Sequence, residues 1–206
     1  MARKERVVRR ADVEVRRREI LDAAVRVVAE RGFAATRVQD VAKALGVSTG
    51  LVHYHFDSKD ELLTTAFRHA ADADIHRLEK SLAESADAVE RLDRLVREYL
   101  PGGRGEKGWV LWIDAWGEAL RDPGLRRISA ELDEAWFEAI EGVIVDGITA
   151  GQFQCSEPHA AAWRLAALMD GLSLQIVVHR GMLTRTQAIE FVRTAATREL
   201  GLPAPD

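Results

Sequence analysis

The chain has 206 residues, a formal net charge of −4 and a single cysteine, Cys155. One cysteine excludes an internal disulfide framework and a cysteine-based metal cluster, and it fits a reducing cytoplasm. The segment MARKERVVRR lacks the apolar core of a signal peptide, and no run of about 18 uninterrupted apolar residues predicts a membrane span. We therefore expect a cytoplasmic protein of one or two domains that does not associate with a membrane.

The charge is distributed unevenly along the chain. Residues 1–18 carry eight basic and three acidic side chains and residues 19–60 carry five and six, which leaves the first 60 residues at +4 and the remaining 146 at −8. A basic end on an acidic body suits contact of that end with phosphates. We predict that residues 1–18 comprise a basic N-terminal arm and the start of helix 1, and that the flexible arm before this helix reaches phosphates or a minor groove. The alternative is a solvated tail that only aids solubility.

Residues 36–62, TRVQDVAKALGVSTGLVHYHFDSKDEL, predict two short helices around a glycine turn. Thr36 opens a T-x-x-Q capping box, Gly46 suits the left-handed end of the first helix, and Ser48 suits the N-cap of the second. The second helix, residues 48–56, has no acidic side chain, which suits a phosphate-lined groove. The pattern is typical of a helix-turn-helix, although many helix–glycine–helix turns touch no DNA.

The same region resembles the N-terminal domain of TetR-family transcriptional regulators, without a gap over residues 16–63. The residues that carry the resemblance are Ile20, Leu21, Asp22, Ala23, Ala24, Gly32, Phe33, Thr36, Val41, Ala42, Leu45, Gly46, Val47, Ser48, Gly50, Tyr54, Phe56, Ser58, Lys59 and Leu62. The resemblance implies a three-helix DNA-binding head and a larger helical body that binds a small ligand and dimerises.

The resemblance, taken position by position, and the local chemistry together predict which residues contact DNA. The expected set is Thr36, Arg37, Ser48, Thr49, Gly50, His53, Tyr54, His55 and Lys59. Thr36, Tyr54 and Lys59 match phosphate anchors, and the Thr36 hydroxyl would lie at a helix N-terminus, which favours an anion. Arg37 is either a backbone contact or an exposed arginine without a role. His53 and His55 point about 200° apart on a helix, so we expect no metal site there.

Capping and breaker signals beyond the head predict further helices, about nine in all. The predicted spans are residues 59–85, 87–100, 109–121, 123–150, 157–180 and 184–200, with PGGRGEKG at 101–108 as a loop. No strand-like alternation persists, so the expected fold class is all-α. We expect an N-terminal three-helix helix-turn-helix DNA-binding domain (residues 19–58, after the arm at 1–18) and a larger helical ligand-binding and dimerisation domain (residues 59–206).

The predicted helix at 157–180 is apolar on every side, and between Leu165 and Val178 its only ionisable residue is Asp170. A helix that is hydrophobic all round must be buried all round. We therefore predict a homodimer in which this helix and the helix at 184–200 pair with their mates. The alternative is a central helix of a monomer. A two-fold dimer would read an inverted-repeat operator in double-stranded DNA.

Aromatic side chains in the body predict a small-molecule site. The expected ligand contacts are Trp109, Trp112, Trp116, Phe137, Trp163 and Asp170. An aromatic wall with a buried carboxylate suits an organic cation. Tryptophan stripes at helical spacing are also ordinary core, and Asp170 is either a ligand contact or paired structurally. Residues 109–185 resemble, more loosely, the BetI-like branch of the family, some of whose members sense choline-type or polyamine cations. An anionic or a neutral apolar effector stays open.

These patterns together predict a repressor that a small effector releases from its operator. Asp114 and Glu118 are the one carboxylate pair that an enzyme hypothesis has to test, and no residue pattern indicates a catalytic site, a metal or a cofactor. The alternatives are a non-specific architectural DNA-binding protein and a small helical enzyme.

Overall fold

The computed structural model describes residues 2–102 and 105–202, with the side chains of residues 2–11 and 105 outside the description. This part of the chain forms nine helices and no strand, which confirms the predicted all-α fold. The helices are α1 (Ala2–Arg31), α2 (Val38–Leu45), α3 (Thr49–His55), α4 (Lys59–Leu82), α5 (Ala88–Tyr99), α6 (Gly105–Ala119), α7 (Pro123–Thr149), α8 (Pro158–Val178) and α9 (Arg185–Leu200).

The chain divides into two compact units. The first unit comprises Met1–Ala71 and Asp114–Ser129, and the second comprises Asp72–Ile113 and Ala130–Asp206. The boundary therefore differs from the predicted division between residues 58 and 59. The reason is that the first turns of α4 are packed in the first unit, where the Phe67 ring meets the Phe33 ring edge-on with centroids 6.1 Å apart.

The glycine turn between α2 and α3 forms as predicted. Gly46 ends α2 in the left-handed region with φ of 72°, a conformation that costs glycine little. The Ser48 hydroxyl oxygen then accepts a hydrogen bond from Leu51 N at 3.2 Å and caps α3.

The predicted start of α2 is wrong. Thr36 does not cap the helix, because its side chain is buried and its hydroxyl donates to the Gly32 carbonyl oxygen at 2.7 Å. Arg37 is the N-cap residue, and its N–H donates to the Asp40 carboxylate at 3.1 Å. The box is therefore offset by one residue, and Asp40 takes the part expected of Gln39.

Two segments expected to lack regular structure are helical. The backbone of residues 2–18 belongs to α1, so the basic segment is a helical extension and not a flexible arm. Residues 105–108, expected in the loop at 101–108, form the first turn of α6. In both places the helix begins further towards the N-terminus than predicted. Adding residues to an existing helix costs less free energy than nucleating a new one.

The second unit is built around α8 and α9. The buried face of α8, which includes Leu165 and Met169, joins one apolar core with the buried residues of α9. The predicted capping box of α9 is confirmed: Gln187 N donates to the Thr184 hydroxyl at 3.2 Å, and Thr184 N donates to the Gln187 side chain at 2.9 Å.

The apolar composition of α8 has to be compared with the prediction that no segment spans a membrane. By length and composition α8 qualifies as a membrane-spanning helix, alone among the helices of the described residues. Core helices pass the same test, and the buried residues of α8 belong to the core of the second unit.

Candidate nucleic-acid interface and small-molecule site

The surface of α3 carries the side chains that the sequence assigned to DNA reading. Thr49, Gly50, His53 and Tyr54 are exposed, and 74% of Tyr54 is accessible. Val52 on the opposite side of α3 is buried, as is Phe56 directly after the helix. The core therefore fixes which face of α3 is presented, and this face has no carboxylate.

His55 lies at the C-terminal end of that face and is half-buried. Its ring meets the Tyr54 ring edge-on with centroids 5.1 Å apart. Burial lowers the pKa of His55, and the charges of Arg17 and Arg16 lower it further, while Glu14 acts in the opposite direction. A neutral imidazole, which offers one donor and one acceptor, is therefore favoured at neutral pH.

Arg17 of α1 lies beside the same end of α3. Its guanidinium carbon is 4.7 Å from the centroid of the Phe56 ring, within cation–π distance. The sequence placed Arg17 in the segment predicted to hold the basic arm and the start of helix 1, and the structure holds it in α1 against the side chain that follows α3. The run of basic residues at positions 16–18 was the sequence feature that could have indicated the contact between Arg17 and Phe56.

The predicted phosphate anchors divide into two groups. Lys59 is half-buried, and its ammonium donates to the Ala34 carbonyl oxygen at 3.1 Å, which leaves donors for another partner. Arg37 is exposed. The predicted role of Thr36 as a phosphate anchor is corrected. Its side chain is 0% exposed and its hydroxyl is hydrogen-bonded within the chain, so it offers no group to a phosphate.

Within the second unit, three aromatic side chains and one carboxylate form a connected cluster, which we call the Tyr99 cluster: Tyr99, Trp109, Trp136 and Asp170. The Tyr99 ring lies 5.8 Å from the Trp109 ring and 5.0 Å from the Trp136 ring, centroid to centroid. The indole N–H of Trp109 donates to the Tyr99 carbonyl oxygen at 2.7 Å. The end of α5, the start of α6 and the middle of α7 are thereby joined.

Asp170 is the acidic member of the Tyr99 cluster. Its carboxylate accepts a hydrogen bond from the Tyr99 hydroxyl at 2.5 Å and has no basic partner among the described residues. Burial raises the pKa of Asp170, although the Tyr99 hydrogen bond lowers it in part. Burial, followed by the Asp170 charge, raises the pKa of Tyr99 well above 10.0. The carboxylate is thus partly desolvated and has one hydrogen bond among the described residues, and a cation beside it would offset the desolvation.

The remaining predicted ligand residues differ in exposure and in the rings they contact. Trp163 is 58% exposed and packs on Phe137 with ring centroids 4.8 Å apart, and Phe137 in turn packs on His159. Trp112 is buried in the second unit, whereas Trp116 belongs to the first unit. The five aromatic residues predicted to surround Asp170 therefore stay a prediction, with Trp109 placed in the Tyr99 cluster and Trp163 and Phe137 in a second aromatic contact.

Tyr99 is the residue that sequence reasoning missed. The available signal was an aromatic side chain at the last position of a helix before Pro101, where a hydroxyl could face the body of the domain. No group of three or more His, Cys, Asp or Glu side chains among the described residues could hold a metal ion.

Comparisons with known proteins decide the family. Residues 20–66 match the model of bacterial regulatory proteins of the tetR family, and residues 88–201 match the C-terminal domain of BetI-type transcriptional repressors. The chain belongs to the TetR family of bacterial transcriptional regulators. The resemblance seen in the sequence is confirmed for both the head and the BetI-like body.

Individual proteins similar to this TetR-family chain are also transcriptional regulators. The HTH-type transcriptional regulator BetI of Paraburkholderia xenovorans is 30% identical over 169 residues, which cover 79% of this chain and 82% of the relative. The fatty acid metabolism regulator protein of Bacillus subtilis is 27% identical over 138 residues, covering 66% and 70%. A putative transcriptional regulator from Saccharomonospora viridis, solved in complex with choline, is 31% identical with a TM-score of 0.84, covering 91% of this chain and 98% of that one.

The chain is accordingly a DNA-binding transcriptional regulator of the ligand-responsive repressor type. Regulators of the family bind DNA and small-molecule effectors, act as dimers, and are not enzymes. The helix-turn-helix prediction is confirmed at the level of the family.

Proposed function

We propose that this chain is a dimeric, cytoplasmic repressor that leaves an inverted-repeat operator when a small organic cation binds beside Asp170. One observation carries the proposal: a partly buried carboxylate within an aromatic cluster has only a tyrosine hydroxyl as its partner among the described residues. A quaternary ammonium group meets such a site through charge pairing and through the faces of aromatic rings.

The comparisons support a cation without identifying it. The choline complex comes from a structure 31% identical to this chain, and several similar regulators are named BetI. The Bacillus subtilis relative, named for fatty acid metabolism, supports the alternative of an apolar or anionic effector. The raised pKa of Asp170 makes that alternative chemically reasonable, since a protonated carboxyl tolerates an apolar neighbour.

On the DNA side, exposure and chemistry support the assignment of the face of α3. Thr49, Gly50, His53 and Tyr54 would meet base edges or phosphates, since each is exposed on a helix whose core face is buried. Further contacts with the DNA backbone are proposed for the remaining members of the predicted set that stay accessible: Arg37, Ser48, His55 and Lys59.

The dimer surface is proposed on α8 and α9. Large apolar side chains are exposed there on the single chain: Trp163, Leu174, Val178 and Phe191. Exposed apolar residues on two adjacent helices would be covered by the same helices of a second copy, as the sequence predicted. The two reading helices of such a dimer would be related by a two-fold axis, hence the inverted repeat.

A titration of intrinsic tryptophan fluorescence, paired with mobility shifts of the gene's own upstream DNA, tests the effector. The ligands are choline, betaine aldehyde, putrescine and spermidine, with 3,3-dimethylbutan-1-ol as the uncharged analogue of choline. We expect at least one cation, and not the uncharged alcohol, to change the fluorescence and release the DNA.

A variant pair sharpens the assignment to Asp170. Asp170→Asn should weaken binding of the active cation by about tenfold or more, because it removes one charge from a partly desolvated pair. Glu138→Gln, an exposed acid of α7, is the matched control and should leave binding unchanged. Equal release by the alcohol and by choline, or equal binding by Asp170→Asn and the wild type, would refute the cationic site while leaving a repressor with another effector.

A further inference from the structure

A hydrogen bond within the first unit joins two segments that are far apart in the sequence. The N–H of Phe33 donates to the Asp114 carboxylate at 2.6 Å across 81 positions of the chain. It is the only partner of this carboxylate among the described residues. Asp114 lies on α6, and Phe33 lies in the turn between α1 and α2.

The turn is shaped to accept this carboxylate. Gly32 has a φ of 81°, in the left-handed region that favours glycine. A Cβ atom at Gly32 would lie 3.1 Å from Asp114 Oδ2, closer than an ordinary contact. Glycine therefore meets two requirements at this position: the backbone conformation and the close approach of the acid.

The start of α2 depends on the same turn. The Gly32 carbonyl oxygen accepts hydrogen bonds from the Thr36 hydroxyl at 2.7 Å and from Thr36 N at 3.2 Å. Thr36 is buried, and α2 begins two residues later at Val38. The path from Asp114 to the helix-turn-helix thus consists of the Phe33 hydrogen bond, the Gly32 turn and the Thr36 hydrogen bonds.

Packing also holds the turn, since the Phe33 side chain is buried and its ring contacts the Phe67 ring. A cavity of about 60 Å³ lies beside it within the first unit. Its lining includes Phe33 and Ala34 of the turn, Glu118 of α6, and Asp122 and Leu125 at the start of α7. The Asp114 hydrogen bond adds a directional contact between the two segments to this packing.

We propose that Asp114 is a positioning residue for the DNA-reading helices, which sets operator affinity by holding the turn before α2 against α6. The helix that carries Asp114 also carries Trp109 and Trp112 in the second unit, so a displacement of α6 on effector binding would reach the turn through this bond. This last step rests on the proposed function, whereas the effect of Asp114 on operator affinity does not.

The test uses the full-length protein and a duplex selected from a random library by the wild-type protein. Operator affinity is measured for Asp114→Ala, Asp114→Asn and the matched control Glu118→Ala, one turn further along the same helix. We expect about a tenfold loss for alanine and a smaller loss for asparagine, whose amide oxygen still accepts the bond, while the control stays within about twofold. Hydrogen exchange at the Phe33 amide should accelerate in Asp114→Ala and not in the control.

A second measurement distinguishes positioning from general stability. With choline as the probe, the ratio of operator affinities with and without ligand should fall towards one in Asp114→Ala, while choline still changes the tryptophan fluorescence. Wild-type operator affinity in Asp114→Ala, or an equal loss in Glu118→Ala, would overturn the proposal. If choline has no effect on the wild type, the cationic effector is refuted, and the affinity and exchange measurements still decide the role of Asp114.

Discussion

Replacing Tyr99 with phenylalanine removes one hydroxyl and leaves the Asp170 carboxylate without a hydrogen-bond donor among the described residues. That hydroxyl donates to Asp170 at 2.5 Å, and burial already raises the pKa of the carboxyl. Asp170→Asn changes the same pair from the other side, since an amide oxygen still accepts the Tyr99 hydrogen bond and no charge remains to be desolvated. The two single variants therefore differ in what they leave unsatisfied.

The expected losses of stability follow from that difference. A hydrogen bond to a charged group contributes about 1.5–3 kcal/mol, and a buried acceptor left unsatisfied costs its desolvation. We expect Tyr99→Phe to lower the free energy of unfolding by roughly 2 kcal/mol at pH 8. Asp170→Asn should lower it by less than about 1 kcal/mol, or raise it, because the desolvated charge is gone.

The pH dependence has a definite sign. The pKa of Asp170 is raised in the folded protein, so between its ordinary value and the raised value the folded state binds more protons than the unfolded state. Stability due to this group therefore falls as the pH rises through that window, and the deficit is complete above the folded pKa. The advantage of asparagine over aspartate should grow with pH, and the loss in Tyr99→Phe should shrink on acidification, because a protonated carboxyl needs its partner less.

Urea unfolding at pH 5 and pH 8 checks this reasoning, with fluorescence of the five tryptophans as the signal and protein concentration held constant. The double variant completes the cycle, and the coupling between the two sites should exceed the scatter expected of independent positions, about 0.5 kcal/mol. The reasoning is refuted if Tyr99→Phe loses no more stability than Asp170→Asn at pH 8, or if its loss is the same at both pH values.

Three further predictions concern the core, the DNA face and the dimer. In Gly147→Ala the new methyl would overlap the Phe153 ring, so thermal unfolding should show a loss of about 1–3 kcal/mol, whereas Gly142→Ala on the same helix meets nothing within 4 Å and should lose none. Tyr54→Ala should weaken operator binding in a mobility shift by about tenfold without changing the melting temperature, because 74% of this side chain is exposed. Phe191→Glu places a charge on the proposed dimer surface, and sedimentation velocity should then show a monomer; a stable dimer would move the interface elsewhere.

Local signals in the sequence predicted the helix-turn-helix well because they act within a few residues. Gly46 and Ser48 satisfy backbone requirements that depend only on their immediate neighbours, and both perform the predicted role. The capping role predicted for Thr36 failed for a reason of the same scale: its hydroxyl donates to the Gly32 carbonyl oxygen four residues back, whereas a capping hydroxyl accepts from a helix N–H. Ser and Thr side chains commonly have such a choice between a cap and a preceding carbonyl.

The effector site could be predicted only in part, since it depends on contacts between helices. Helical spacing correctly indicated that Trp109 and Asp170 face the interior, but the choice of neighbours follows from how α5, α7 and α8 pack. Trp163, on the same stripe as Asp170, is 58% exposed, while Tyr99, on another helix, supplies the hydroxyl. Nothing local in the sequence distinguishes these two outcomes.

A hydrogen bond is well suited to pass a small displacement of α6 to the turn before α2. The Asp114–Phe33 bond is 2.6 Å long, and bonds of this kind weaken beyond about 3.2 Å. Helix shifts in regulatory proteins are about 1–2 Å, so one such shift along the bond would break it, whereas an apolar contact would slide and adapt. Glu118, one turn further along α6, lines the neighbouring cavity instead of bonding to the turn, so it cannot take over this role without a change of backbone position. In the proposed role of Asp114, operator affinity responds to α6 through one carboxylate oxygen and through the glycine that lets it approach.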